Sequence, residues 1–204
     1  DRTTKSQQID LYDFATLKKV STLIDTKDFK ELSDNGIDSY VFSSDEKQIL
    51  LANNTNQIFR HSFTADYFLY DTTSKKLGGL FDQVQEPTFS PDGTKIAYAK
   101  ANDLYIYDVV SRNTTRVTND GVKNKVINGI TDWVYEEEFA FVRAFDWSAD
   151  SKKLAFIRFD ESQVPEFSMN IFQKDLYPSV ETFKYPKAGE KNAEVSLHIY
   201  NVSS

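Results

Sequence analysis

Phe42-Ser43-Ser44-Asp45-Glu46-Lys47-Gln48-Ile49-Leu50-Leu51, Phe89-Ser90-Pro91-Asp92-Gly93-Thr94-Lys95-Ile96-Ala97-Tyr98 and Trp147-Ser148-Ala149-Asp150-Ser151-Lys152-Lys153-Leu154-Ala155-Phe156 follow one pattern. Each reads aromatic, Ser, any residue, Asp, a polar pair, Lys or Gln, then an apolar run. The pattern describes a hairpin: an inward aromatic closes one strand, Ser and Asp cap the turn through local side-chain bonds, and an apolar strand returns. A second element recurs as alternating strand residues ending in Tyr and Asp or Asn, at Asp10-Leu11-Tyr12-Asp13, Phe68-Leu69-Tyr70-Asp71, Tyr105-Ile106-Tyr107-Asp108 and His198-Ile199-Tyr200-Asn201. After three of these a turn and a further short strand are expected, as in Thr72-Thr73-Ser74-Lys75-Lys76-Leu77. The two elements together make a four-stranded antiparallel blade.

The Ser positions of the repeat are 47 and then 58 residues apart, against roughly 40–50 for a common propeller blade. The longer interval therefore contains an insertion. A β-sandwich is also built from short alternating strands and polar turns. Recurrence of the whole two-part motif favours an all-β propeller of four-stranded blades. Three such motifs supply about three to four blades, at or below what closes a ring. The expected fold is thus a partial arc of a larger propeller, spanning residues 1–204 and beginning inside a blade.

The insertion holds Asp132-Trp133-Val134-Tyr135-Glu136-Glu137-Glu138-Phe139. Asp132 is suited to cap a short helix over about 132–139, in which successive residues step by roughly 100°. Adjacent carboxylates among aromatic residues suggest a partly buried cation site; a solvated acidic helix face is the plainer reading. Trp133, Tyr135 and Phe139 are expected to anchor the helix by core packing. Glu136 falls on a different side from Glu138 and is read as a structural or solvent-facing acid.

Composition narrows the function. The chain has 204 residues, a net charge of −7 and no cysteine, so a disulfide framework, a thiol nucleophile and a thiolate metal site are excluded. There is no basic stripe to suit nucleic acid. His61 and His198 do not form a metal-ligand spacing, and no metal or cofactor is expected. No G-x-S-x-G elbow, Walker A loop or dinucleotide turn is present, so no catalytic residue is assigned within this chain. His61 is read as a packing or hydrogen-bonding residue. No apolar run approaches a membrane span, and Asp1-Arg2-Thr3-Thr4-Lys5 lacks the apolar core of a signal peptide.

Three non-repeat segments now acquire weight: Asn128-Gly129-Ile130-Thr131-Asp132-Trp133-Val134-Tyr135-Glu136-Glu137-Glu138, Arg60-His61-Ser62-Phe63, and Tyr185-Pro186-Lys187-Ala188-Gly189. Together they closely resemble the N-terminal propeller of the dipeptidyl peptidase IV family, in the same order along most of the chain. The absence of cysteine departs from the disulfide-bearing vertebrate members and is more similar to bacterial homologues. The resemblance implies an eight-bladed propeller over an α/β-hydrolase domain with a Ser-Asp-His triad, the latter outside this chain. The implied activity is removal of X-Pro or X-Ala dipeptides from peptides with a free N-terminus.

By that resemblance Glu137 and Glu138 form the pair that binds the substrate's terminal ammonium, and Arg60 contacts a substrate carbonyl and holds the pair. A surface ion pair is the alternative reading of Arg60. The stretch from about Phe167 to Pro186, with Phe172, Leu176, Tyr177, Val180 and Phe183, resembles an arm that packs on a second subunit; an ordinary long hairpin is the other reading. The implied partners are peptide substrates, the chain's own hydrolase domain and a second copy. The implied location is periplasmic or cell-envelope associated, in a bacterium. Two alternatives remain: a non-catalytic homologue serving as an interaction propeller, and a tripeptidyl peptidase variant.

Overall fold

The computed structural model describes residues 6–33, 35–172 and 176–202. The chain divides into two compact units, one comprising the chain up to Asn56 with Thr64–Val84, the other Gln57–Phe63 with the chain from Gln85 onward.

The first unit opens with an antiparallel pair, β1 (Gln8–Tyr12) and β2 (Lys19–Asp25), followed by a 3-10 turn at Thr26–Asp28 and a short helix α1 (Lys30–Ser33). Next come β3 (Ser39–Phe42), β4 (Gln48–Gln57), β5 (Phe63–Asp71) and β6 (Lys76–Phe89), which are neighbours in sequence order. The first half of β6 pairs with β5, from Asp71 opposite Lys76 to Ala65 opposite Val84. Ile9, Ile24, Leu32, Ile49, Leu51 and Tyr70 form this unit's core. The Tyr70 hydroxyl is satisfied there by donating to the Leu23 carbonyl at 3.0 Å, as a buried phenol requires.

In the second unit the end of β6 pairs with β7 (Lys95–Lys100), which continues into β8 (Asp103–Asp108) and β9 (Thr114–Arg116) as an antiparallel sheet. The insertion follows, with β10 (Val126–Asn128) and helix α2 (Trp133–Phe139). A further sheet is centred on β12 (Lys153–Asp160). One edge of β12 carries β11 (Phe145–Trp147) and then β10 end to end; the other carries β15 (Glu194–Asn201) along its whole length. Between β12 and β15 the chain forms a separate hairpin, β13 (Glu166–Ile171) and β14 (Ser179–Lys184). Leu104, Ile106, Phe145, Trp147, Leu154 and Phe159 belong to the core of this unit.

The expected blade pattern is present, and the repeat works through its turns. Ser43, Ser90 and Ser148 each donate from Oγ to the Asp two residues on, at 2.8, 2.6 and 2.6 Å. The same Oγ accepts from the backbone N–H five residues on, at 3.0, 3.0 and 2.9 Å. Each Asp also takes the N–H two residues beyond itself. The third residue after Ser adopts positive φ in all three turns: Glu46 at 59°, Gly93 at 72° and Ser151 at 61°. Only one is glycine, so the side-chain cage, not glycine alone, holds the left-handed residue. A matching device ends the Tyr-Asp strands, where Asp13, Asp71 and Asp108 cap the N–H three residues ahead.

Gly129 enters the insertion at φ +75°, and a Cβ added there would overlap the buried Leu104 side chain. Gly129→Ala is expected to cost about 2–4 kcal/mol, combining left-handed strain with overpacking. Urea unfolding reads this directly; an unchanged midpoint would contradict the placement.

Candidate functional site

Helix α2 is held at both ends. Asp132 caps it, its Oδ1 accepting from the Tyr135 N–H at 2.9 Å. Burial raises the Asp132 carboxyl's pKa, and the backbone N–H groups of Tyr135 and Val134 oppose that. Ala140 ends the helix in the left-handed region, φ 55°, its N–H donating to the Glu136 carbonyl at 3.1 Å. Trp133 packs on Tyr185 with ring centres 4.7 Å apart, and Tyr135 on Phe159 at 4.9 Å. These two residues anchor the helix as expected. Phe139 does not: it is 63% exposed. The helix stops at Phe139, whose ring meets the flank of Tyr135 with centres 5.1 Å apart.

The three glutamates occupy three environments because each step around the axis faces a different neighbour. Glu136 is 1% exposed. Its Oε1 accepts from the backbone N–H of His61 at 2.6 Å and of Ser62 at 2.8 Å, so it is structural, the first of the two readings left open above. Glu137 is partly buried, and its Oε2 stands 3.1 Å from Arg60 Nε. Glu138 is exposed and has no ion-pair partner among the described residues.

Arg60 rides on a tight loop. The Ile58 N–H donates to the Ser62 carbonyl at 2.9 Å, and Gln57 Nε2 donates to the carbonyls of Phe59 and Arg60. The Glu136 bonds tie this loop to α2, so the backbone that presents Arg60 is fixed to the helix that presents Glu137. His61 contributes its backbone N–H, while its side chain is exposed.

The site thus sets one carboxylate, Glu137, against the Arg60 guanidinium, with the exposed carboxylate of Glu138 next to it in sequence. Glu137 is balanced by Arg60; Glu138 leaves one negative charge uncompensated. Such a site is complementary to one further cation with several N–H donors.

Sequence reasoning missed Glu86, Arg143 and Glu161. Burial pushes the Glu86 carboxyl's pKa up; Arg143 pulls it down and Glu136 pushes it further up. Nothing in the local sequence around Glu86 marks it, because its neighbours come from the α2 insertion.

On the β13–β14 hairpin, Phe172, Leu176, Tyr177 and Val180 are exposed. Residues 173–175 of the expected arm lie outside the described residues. Phe183 differs from the other four, packing on Phe59 at 5.8 Å and on Trp133 at 6.0 Å between ring centres.

Residues 43–204 match the family model described as the dipeptidyl peptidase IV N-terminal region. The chain belongs to the dipeptidyl peptidase IV family. Among curated relatives of this family, dipeptidyl aminopeptidase B of Saccharomyces cerevisiae is 38% identical over 188 residues, covering 89% of this chain and 23% of the relative. Dipeptidyl peptidase 4 of Bos taurus is 35% identical over 190 residues, 90% of this chain and 25% of the relative. The crystal structure of Porphyromonas gingivalis dipeptidyl peptidase 4 superimposes with a TM-score of 0.89 at 43% identity, over 95% of this chain and 28% of that one. The chain therefore spans about a quarter of the length of these dipeptidyl peptidase relatives.

Proposed function

We propose that this chain is the substrate-gating part of the propeller of a prolyl dipeptidyl aminopeptidase, in which Glu137 and Glu138 bind the substrate's free amino terminus. The observation that carries this reading is the Arg60–Glu137 pair at 3.1 Å beside an uncompensated Glu138. An exopeptidase measures from a chain end, and a terminal ammonium is what distinguishes that end. Two carboxylates offer acceptors for its three N–H donors, while Arg60 holds Glu137 in place and can reach a substrate carbonyl. The substrates on this reading are peptides with Pro or Ala second, and the bond is cut by a serine-type hydrolase domain of the complete protein. The exposed apolar residues of the β13–β14 hairpin are proposed to pack on a second copy, and the protein to act in the periplasm or cell envelope of a bacterium.

The test is hydrolysis of a Gly-Pro chromogenic amide and of its N-acetylated form by the complete protein. Two charge-assisted bonds lost on acetylation predict a preference for the free amine on the order of a hundredfold or more. Equal hydrolysis of both would remove the amine-binding role. No hydrolysis by a folded protein would favour a non-catalytic interaction propeller, and release of tripeptides would favour the tripeptidyl variant.

A further inference from the structure

A cavity of about 500 Å³ lies in the second unit, and Ile58, Phe59, Ile127, Ile130, Trp133 and Phe183 give it apolar walls. Neither Glu137 nor Glu138 lines it. Two buried carboxyls do: Asp132, 6% exposed, and Glu161, 5% exposed. The Glu161 backbone is fixed on both sides, its N–H donating to the Lys125 carbonyl at 2.8 Å and its carbonyl accepting from the Val164 N–H at 3.0 Å. Its carboxyl, by contrast, has no hydrogen bond or ion pair among the described residues. Its oxygens are not among the sealed, unpaired side-chain atoms of the described residues, so they meet solvent where Glu161 lines the cavity, and a donor entering there can replace that water.

The lysines lining the cavity do not supply that donor. Lys184 Nζ donates to the Val164 carbonyl at 2.8 Å and stands 3.6 Å from Glu166 Oε1. Lys123 is exposed. The group open to a donor is therefore acidic and the walls around it are aromatic and aliphatic.

We propose that this cavity binds an organic cation, a primary ammonium on an apolar chain, with its head on the Glu161 and Asp132 carboxyls and its body against Phe59, Trp133 and Phe183. Ammonium donors give the Glu161 carboxyl charge-assisted partners in place of water, and the chain fills space that small inorganic cations would leave to water.

Burial, with the charges of Asp132 and Asp160, raises the Glu161 carboxyl to about 7 while Lys184 opposes the rise; Lys123 and Glu181 are the remaining charged groups of the lining. The ligand needs the ionised carboxyl, so affinity falls as pH drops through about 7, whereas an alkylammonium keeps its charge throughout.

The test is calorimetric titration of hexylammonium chloride into the complete protein carrying Glu137→Gln and Glu138→Gln, which removes the amine site proposed above. Saturable binding is expected, weaker at pH 5.5 than at pH 8 (set about a unit or more either side of the Glu161 transition). Adding Glu161→Gln should weaken it about tenfold or more, and 1-hexanol, of equal length and no charge, should bind about tenfold or more weaker to the unaltered cavity. The alcohol comparison stands even if the Glu161 variant does not fold. No saturable binding of hexylammonium, equal binding of hexanol, or an unchanged affinity in a folded Glu161→Gln protein would each overturn the proposal.

Discussion

Replacing both Glu137 and Glu138 by Gln in the complete protein is expected to lower kcat/KM for a free-amine X-Pro amide by a factor of a hundred to a thousand, on the order of two charge-assisted hydrogen bonds. The fold should survive, because neither side chain is fully buried and Glu137's ion-pair partner is a largely exposed arginine. The same variant should no longer separate the free amide from its acetylated form, since the carboxylates that distinguish them are gone. Arg60→Ala should act in the same direction but less, because it removes the group that holds Glu137 and leaves both acids in place. Steady-state kinetics on the two amides, with circular dichroism as the folding control, checks all of this. Unchanged turnover of the free amide by the folded double variant would end the assignment.

Glu136→Ala is expected to destabilise the protein by about 1–3 kcal/mol, because it leaves the buried Ser62 N–H and the partly buried His61 N–H without their acceptor. Those donors are the N–H groups of His61 and Ser62, which at present share one Glu136 oxygen. Glu136→Gln keeps an acceptor oxygen at the same reach and should cost distinctly less. Activity should fall as well, since the Glu136 bonds join the Arg60 loop to α2. Urea unfolding of both variants gives the order. An alanine variant as stable as the parent would show that the loop is held by other contacts.

The hairpin repeat was legible because its chemistry is local. Ser90, Asp92 and Lys95 satisfy one another within six residues, so the turn can be read from the string alone. The cap at Asp132 was legible for the same reason, its acceptor lying three residues from its donor. Phe139, expected in the core for its apolar ring, is exposed because it is the last residue of the helix, and which side of that end meets the core is set by distant segments. The sequence pattern alone left Glu136 undecided between two environments, since its partners are 74 and 75 residues away.

The sequence by itself determined the blade, the insertion, the helix and the acidic triplet, because strands, turns and caps are written in neighbouring residues. Only the tertiary structure decided which glutamate is buried as a structural tie, which is paired with Arg60 and which stands free. It alone also brought Glu161 from the end of β12 into a cavity with Asp132. The reason is physical: hydrogen bonding within a turn is set by short chain geometry. Burial, charge pairing and the pKa of a carboxyl depend on which distant segments exclude water from it.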